Sequence, residues 1–144
     1  MIDVRIKLLC ASALVPQYKT VGSAGCDIHA SHDVCIPAKG GTAMVPTGIS
    51  VEVPEGYECQ ARPRSGLAKQ GIVVFNSPGT VDSDFRGEMM IMLINHSTKD
   101  YHVRAQDRIA QLVFAPVVQA KFEVVDELTP TERGAGGWGS TGVR

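Results

Sequence analysis

Apolar and polar residues alternate along much of this chain, and the alternation predicts short β-strands. At the N-terminus Ile2, Val4, Ile6 and Leu8 alternate with charged residues, which is the period of a half-buried strand. The pattern returns at 49–53, 57–61 and 101–103, a further strand is predicted over 106–113, and Phe122, Val124 and Val125 suggest a last strand. Proline and glycine separate these runs. The sequence therefore predicts an all-β sandwich or barrel.

A turn-rich stretch at 76–88 lies between two apolar runs, 72–75 and 89–94, and predicts a β-hairpin. If the stretch is extended, Asp82 and Asp84 point to the same side, because side chains alternate along a strand. Two interpretations remain open from these residues alone. The acids are solvated turn formers with Arg86 as their surface partner, or one carboxylate is placed to activate a water molecule.

The segment 63–71 interrupts the strand pattern with room for about one helical turn. Ser65 is a candidate N-cap and Gly71 a candidate residue just past the C-terminal end. The free N–H groups of such a turn, with Arg64 beside them, would form a site for anions. The alternative is a simple connector between strands.

Five glycines lie within residues 132–142, which cannot bury enough surface to become ordered alone. A flexible linker would explain the glycines, but it does not require Arg133 or Trp138, the only tryptophan of the chain. A glycine-rich backbone approaches phosphates closely, while arginine adds a planar charged fork and tryptophan a face for stacking on a base.

Composition narrows the possible partners. Fourteen Lys and Arg against fifteen Asp and Glu give a net charge of −1, which argues against non-specific binding of nucleic acid. No apolar run approaches the ~20 residues of a membrane span, and the N-terminus is not that of a signal peptide. The four cysteines form no Cys-x-x-Cys pair, so we expect buried thiols in a reducing compartment and no zinc-dependent deaminase. At 144 residues we expect one domain.

Five segments in order carry a resemblance that covers nearly the whole chain: AGCDIHA (24–30), PRSGLA (63–68), GTVDSDFRGE (79–88), DRIAQLV (107–113) and RGAGGWGSTG (133–142). Together they resemble the homotrimeric dUTP diphosphatases, the dUTPase family. The resemblance implies a jelly-roll-like β domain at 1–130, an arm at 131–144 that closes over the active site, and a cytoplasmic homotrimer whose three sites are shared among chains. The implied reaction is Mg²⁺-dependent hydrolysis of dUTP to dUMP and diphosphate, which keeps uracil out of DNA and supplies dUMP for thymidylate synthesis.

The resemblance also assigns roles to individual residues. Asp82 would be the general base that activates the attacking water, and Asp27 would support the network of Mg²⁺ and water. The nucleotide would be bound by Arg64, Ser65, Gly66, Asn76, Thr80, Val81, Phe85, Met90, Gln111, Arg133 and Trp138. Asn76 and the backbone of Thr80 and Val81 would read the uracil edge, with Phe85 beneath the deoxyribose.

Among these residues, Arg64, Ser65, Gly66 and Gln111 would hold the phosphates, with Arg133 on the terminal one and Trp138 over the base.

Three positions depart from the pattern of the family. Phe85 stands where a tyrosine is usual, Gln106 where a glycine is usual, and Trp138 where a phenylalanine is usual. None of these changes removes a group that the chemistry requires. Two alternatives remain: a related dCTP deaminase-type enzyme with the same fold, and a binding module that uses a nucleotide pocket to gate a protein partner.

Overall fold

The structure, a computed structural model, describes residues 1–137, and within them the chain forms eleven strands and one short helix. The elements are β1 (Arg5–Leu8), β2 (Cys26–His29), β3 (Val34–Ile36), β4 (Gly41–Pro46), β5 (Ile49–Glu52), β6 (Tyr57–Arg62), α1 (Ser65–Ala68), β7 (Ile72–Val74), β8 (Gly79–Val81), β9 (Met90–Asn95), β10 (Tyr101–Val103) and β11 (Arg108–Pro116). The helix in this range is too short to cross a membrane.

All strand pairs are antiparallel and form four small sheets within the described residues. The largest has the order β2-β11-β6-β8, the next has the order β4-β9-β7, and two further pairs are β1-β5 and β10-β3. Neighbours in these sheets are mostly distant in sequence, as crossing connections between packed sheets require. The predicted all-β, jelly-roll-like class is confirmed.

The core lies between these sheets and is formed by aliphatic side chains. Ile28, Ile36, Ile49, Leu93 and Leu112 have no exposed surface. Strand β2 shows how the core determines what faces outward: its first and third residues are buried, while the second and fourth are partly exposed. Burial of one face of β2 therefore directs the side chains of Asp27 and His29 to the opposite face, which is partly exposed.

Most of the predicted strands are confirmed. The N-terminal alternation forms β1, although the strand begins only at Arg5 and pairs Leu8 with Ile49 of β5. The predicted segments at 49–53, 57–61, 101–103 and 106–113 correspond to β5, β6, β10 and β11. These strands each have a partner for their backbone groups, which an alternating sequence alone does not guarantee.

The predicted last strand at 122–125 is wrong. After β11 the described chain has no further strand, and Val118, Phe122, Val124 and Leu128 are 93%, 92%, 100% and 86% exposed. A strand needs a neighbouring edge for its N–H and C=O groups, and within residues 1–137 none pairs with this segment. Within residues 1–137 no apolar surface covers the side chains of this segment.

The predicted hairpin is confirmed in its two arms and wrong in its centre. Strands β7 and β9 pair directly, with Ile72 opposite Asn95 and Val74 opposite Leu93. The connection between them leaves this sheet, forms β8, and pairs with β6 in the larger sheet. Because β8 ends at Val81, Asp82 and Asp84 lie in a turn rather than in a strand, and the expectation from alternation does not apply.

The helical turn was predicted correctly, but its start is shifted by one residue. Arg64, and not Ser65, is the N-cap, because the Arg64 carbonyl already accepts hydrogen bonds from the N–H groups of Leu67 (3.1 Å) and Ala68 (2.9 Å). Gly71 has a φ of +83°, the left-handed backbone expected where a helical turn ends. The turn directs the chain from the end of β6 into β7.

Candidate active site

A cavity of about 350 Å³ opens between the connection at 76–89 and the sheet β4-β9-β7. Its volume is typical of small-molecule sites. The cavity brings together six of the predicted site residues: Asn76, Thr80, Val81, Asp82, Phe85 and Met90. Five of them come from residues 76–85, so one short segment of the sequence forms one wall of the cavity.

Strand β8 forms the polar wall of this cavity. It pairs with β6 on one side, with Thr80 opposite Gln60 and Val81 opposite Cys59. On the other side β8 is the edge of its sheet within the described chain. An edge strand presents backbone N–H and C=O groups that lack a neighbour, and a ligand can use them.

Asp82 is the first residue after β8 and is exposed at the rim of the cavity. A tight turn follows, in which the Phe85 N–H donates to the Asp82 carbonyl at 3.2 Å. The Arg86 guanidinium fixes this turn by donating to the carbonyls of Ser83 (2.6 Å) and Phe85 (2.9 Å). Among the described contacts Arg86 therefore binds backbone and neither carboxylate, so the interpretation of Arg86 as the surface partner of the acids is wrong.

The opposite wall of the cavity is rich in methionine. Met44 of β4 lies directly opposite Met92 of β9, and Met90 is two residues earlier on the same strand. Of these three, only Met90 was predicted. The available signal was the alternation of Met90 and Met92, which places both side chains on one face. Flexible thioether side chains adapt their shape to an apolar ligand surface.

A charged cluster surrounds Asp27 on β2. Its carboxylate, with a side chain only 12% exposed, accepts hydrogen bonds from Arg64 Nε at 2.8 Å and from Arg108 Nη1 at 3.1 Å. Arg64 Nη1 also donates to the Arg108 carbonyl at 3.1 Å. Two arginines on one acid leave a net charge of +1, which suits an anion.

Gln111 lies beside this cluster because it is the cross-strand partner of Asp27 in the β2–β11 pair. Its Nε2 donates to the Pro63 carbonyl at 2.9 Å. Gly25 makes this position possible: a Cβ there would collide with Gln111 Oε1 and approach its Cβ to 3.2 Å. Ser65 and Gly66, the first residues of α1, are exposed and follow Arg64 directly.

Arg108 is the main member of the cluster that the sequence prediction missed. It belongs to the segment at 107–113, but its role depends on Asp27, which lies 81 residues earlier. Its cross-strand partner is His29, whose Nδ1 is buried without a hydrogen-bond partner in the described chain. Burial lowers the pKa of His29 below its usual value.

The cluster and the cavity lie at different places on the same sheet. Asp27 is on β2 at one edge and the cavity wall is β8 at the other, with β11 and β6 between them. At about 4.8 Å per strand, the two edges are roughly 14 Å apart. Asp27, Arg64 and Gln111 are not among the residues that line the cavity. One chain thus presents two partial sites.

The C-terminal residues join neither partial site in the described structure. Arg133 is exposed, and its Nε donates to the nearby Gly136 carbonyl at 2.8 Å. Trp138 lies outside the described residues. Residues 1–137 contain no group of three or more His, Cys, Asp or Glu side chains placed to hold a metal ion.

Comparison with known proteins identifies close relatives. The dUTPase family model matches residues 11–142. A deoxyuridine 5′-triphosphate nucleotidohydrolase of Nautilia profundicola is 53% identical over 139 residues, covering 96% of this chain and 97% of the relative. The enzyme of the same name from Treponema denticola is 56% identical over 133 residues, covering 91% and 92%.

A solved structure of similar shape is the dUTPase of Staphylococcus bacteriophage 80alpha in complex with dUPNHPP. It superimposes with a TM-score of 0.90 at 26% identity and covers 98% of this chain and 99% of the phage chain. The similarity in backbone shape therefore covers nearly the whole chain.

Proposed function

The chain belongs to the dUTPase family, and from this membership we propose that it hydrolyses dUTP to dUMP and diphosphate. The observation that carries the proposal is the cavity beside β8, in which an exposed strand edge, an aromatic ring and the carboxylate of Asp82 meet. A base, a sugar and an attacking water each have a suitable partner in this arrangement. The other half of a nucleotide, its phosphates, suits the net positive cluster around Asp27.

Uracil is recognised by the edge of β8 and by Asn76. The backbone groups of Thr80 and Val81 match the alternating donors and acceptors of the uracil edge, and the Asn76 amide supplies one more donor and acceptor. Cytosine would leave some of these groups unpaired, which costs roughly 1–3 kcal/mol for each buried group. We propose that the backbone of β8 lies too close to the bound base for the 5-methyl group of thymine to fit.

The sugar packs on Phe85, a residue that lines the cavity and is 43% exposed. An aromatic ring beneath the deoxyribose offers a 2′-hydroxyl neither space nor a hydrogen-bond partner. Phe85 retains the ring of the usual tyrosine and lacks its hydroxyl, so stacking is kept without a hydrogen bond from the ring. Met90 adds apolar contact from the opposite wall.

Asp82 activates the water that attacks the α-phosphorus. Its exposed carboxylate at the rim of the cavity can accept a proton from water while the nucleotide occupies the interior. Attack on a phosphate requires an in-line water and neutralisation of charge, with little covalent help from the protein. One positioned carboxylate therefore serves to orient and deprotonate the water, and the neutralisation of charge comes from other groups.

The phosphates bind at Arg64, Ser65, Gly66 and Gln111. In the structure Arg64 Nε and one nitrogen of Arg108 are engaged by Asp27, which orients both guanidinium groups before a nucleotide binds. Preorientation lowers the conformational entropy that binding costs. We include Arg108 among the phosphate-side residues on the basis of this shared carboxylate.

Mg²⁺ fits this site as an ion held mainly by the substrate. Asp27 is the acid of the cluster, and both of its oxygens already accept hydrogen bonds from arginines, which disfavours direct ligation. Each oxygen retains a lone pair for a metal-bound water, and Mg²⁺ characteristically keeps several waters and binds phosphate oxygens. When bound with the nucleotide, Mg²⁺ supplies neutralisation of phosphate charge.

The complete site requires more than one chain, and we propose the homotrimer of the dUTPase family. The cavity and the cluster lie at opposite edges of one sheet, and we propose that a neighbouring copy brings its cluster to the cavity. The exposed apolar side chains of the segment at 117–130 support association, because a monomer would leave them in water. A closed threefold arrangement gives three equivalent shared sites.

Residues 131–144 form the arm that completes the site. Arg133 is bound only to a neighbouring carbonyl among the described contacts, so it can exchange that partner for the terminal phosphate. Trp138, placed five residues later in sequence, would then cover the base by stacking.

The reaction is tested by incubating the protein with dUTP and with dCTP in the presence of Mg²⁺ and measuring diphosphate and ammonia. We expect diphosphate from dUTP and no ammonia from either nucleotide. Ammonia from dCTP would establish the deaminase instead. Saturable binding of dUTP without any product would indicate the nucleotide-gated binding module.

The shared site is tested by mixing two variants. Asp82→Asn removes the base and Arg64→Gln weakens the phosphate cluster, so each homo-oligomer should have low activity. After dissociation and reassembly together, sites that combine an intact Asp82 with an intact Arg64 from the neighbouring chain should form. Random mixing in equal amounts gives ~25% of native sites in a closed ring. No recovery of activity on mixing would show that each chain builds its own site.

A further inference from the structure

Gly87 lies against the ring of Phe85. A Cβ built on Gly87 would lie 2.6 Å from Phe85 Cζ and 3.0 Å from Cε2. Real side chains do not approach this closely, because carbon atoms repel strongly below ~3.5 Å. The aromatic ring therefore occupies the space that any other residue at this position would fill.

The backbone around Gly87 is fixed on both sides. Before it, Arg86 donates to the carbonyls of Ser83 and Phe85 at 2.6 and 2.9 Å. After it, Glu88 Oε1 accepts a hydrogen bond from the Gly48 N–H at 2.8 Å, and the Met89 N–H donates to the Ile49 carbonyl at 2.8 Å. A larger residue at position 87 would consequently move the exposed ring rather than the loop.

The position of the ring matters because Phe85 lines the cavity whereas Gly87 does not. We propose that Gly87 is a specificity-determining positioning residue. Because Gly87 has no side chain, the Phe85 ring can occupy the position in the cavity wall at which the site binds a deoxyribose and excludes a ribose. This inference rests on the proposed function, in which the sugar packs on Phe85. Gly87 acts through Phe85 and does not itself contact the substrate.

The effect of displacing the ring depends on the direction of movement. Because Phe85 is exposed, we expect a Cβ at position 87 to move its ring towards solvent, which leaves space for the 2′-hydroxyl. The ratio of kcat/KM for dUTP to that for UTP then falls, on the order of tenfold, which is typical of small steric changes in a specificity pocket. A ring that moved into the cavity would instead obstruct both sugars and would not lower this ratio. Steps at the phosphates should be affected much less.

The test compares Gly87→Ala, Phe85→Ala, the double variant and Gly22→Ala. Gly22 is the matched control, since a Cβ there meets nothing within 4 Å. We expect Gly87→Ala and Phe85→Ala each to lower the dUTP/UTP ratio, and Gly22→Ala to keep it. In the Phe85→Ala background, Gly87→Ala should have no further effect on the ratio, because the pair acts as one unit.

Two further measurements do not depend on turnover. Calorimetric titration with non-hydrolysable analogues of dUTP and UTP gives the same discrimination as a ratio of Kd values. Proton NMR should show a nuclear Overhauser effect between the Phe85 ring and Gly87 Hα in the native protein, with the ring signals shifted in Gly87→Ala. These readouts separate the inference from the proposed function, which fails if the native protein releases no diphosphate from dUTP.

An unchanged ratio in Gly87→Ala, in kinetics or in binding, would overturn the inference. An equal effect of Gly87→Ala with and without the Phe85 ring would also overturn it, since Gly87 would then act by another route. Loss of discrimination in Gly87→Ala, with unchanged circular dichroism and no additional effect in the double variant, would establish it.

Discussion

The cavity beside β8 and the cluster around Asp27 are built on one sheet but by different physical means. The cavity combines an unpaired strand edge with apolar side chains, namely Met44, Phe85 and Met90, all partly open to solvent. The cluster consists of charges that satisfy one another before any ligand arrives, with Asp27 between Arg64 and Arg108. Shape and hydrogen bonds are thus concentrated at one edge of the sheet and charge at the other.

In the function that we propose, this division separates selectivity from affinity. Bases and sugars differ in shape and in their hydrogen-bonding groups, so the cavity can distinguish among nucleotides. All nucleoside triphosphates carry the same phosphates, so the cluster can bind them tightly without distinguishing them. Variants in the two regions should therefore have different kinetic signatures.

The largest effect is expected from Asp82→Asn at the rim of the cavity. The amide keeps the size of the side chain but cannot accept the proton of the water, so kcat should fall ~10²–10⁴-fold while nucleotide affinity is largely kept. Asp84→Asn is the matched control, because Asp84 lies in the same turn but does not line the cavity. Steady-state kinetics and calorimetry measure the two quantities. Near-normal turnover of Asp82→Asn, or an equal loss in Asp84→Asn, would contradict the assignment.

The next effect concerns the arm that we propose to connect the two regions. Deletion of residues 132–144 should leave a folded assembly whose turnover is lower by about 10²–10³-fold, as expected when a preorganised phosphate contact and the exclusion of water are lost. Trp138, the only tryptophan, provides the optical signal. Its fluorescence should change saturably with a non-hydrolysable dUTP analogue and less with dUMP, which lacks the phosphates for Arg133. Full activity of the truncated protein, with unchanged fluorescence of the intact protein, would show that the arm has no role in catalysis or nucleotide binding.

Arg64→Gln should raise KM by about 10–100-fold, since hydrogen bonds between charged groups contribute roughly 1.5–3 kcal/mol. It should also weaken the dependence of KM on ionic strength, because one charge that meets the phosphates is gone. Arg104→Gln is the control. Arg104 forms a similar ion pair with Asp33 (3.1 Å), but its side chain is 73% exposed and its acidic partner does not belong to the cluster. Phe85→Ala should leave the salt dependence unchanged. If Arg64→Gln and Phe85→Ala changed the salt dependence of KM equally, the division between the two regions would be wrong.

The smallest effect is expected at the entrance to β11. Gln106 has a φ of +71°, a left-handed backbone that costs a residue with a side chain about 1 kcal/mol relative to glycine. Gln106→Gly should therefore raise the free energy of unfolding by about that amount, without a change in kcat. Gln106→Ala should give no gain, because it keeps the Cβ. Denaturant unfolding at one fixed protein concentration measures the difference, and equal stabilisation by both variants would exclude backbone strain as its cause.

The same position shows what sequence patterns convey about this fold. Gln106 stands where the family usually has glycine, and the structure keeps the left-handed turn that a glycine would favour. Strand alternation located β5, β6, β10 and β11 because each buries one face within the described chain. It also located β1, in which only Ile6 is partly buried. At 122–125 the apolar pattern predicted a strand that the structure lacks. Such a pattern indicates side chains suited to burial, but it does not show that a neighbouring strand is present to pair with the backbone N–H and C=O groups.

The two partial sites were predictable to different degrees. The cavity residues from Asn76 to Phe85 are close in sequence, so one motif contained most of them. The cluster depends on contacts between strands distant in sequence, and Arg108 was missed because its partner is 81 residues away. The sequence left open whether Asp82 lies in a strand or in a turn, because nothing in it indicated that β8 ends at Val81 and pairs with β6 instead of β9.

The segment after β11 has a consequence for how stable this protein is in practice. Val118, Phe122, Val124 and Leu128 are each at least 86% exposed in the single chain. Covering four such side chains would contribute at most about 6–12 kcal/mol per chain, at ~1.5–3 kcal/mol each. That is comparable with the whole folding stability of a typical domain. By mass action, the melting temperature should therefore rise with protein concentration, and dilution should dissociate and unfold the protein in one transition.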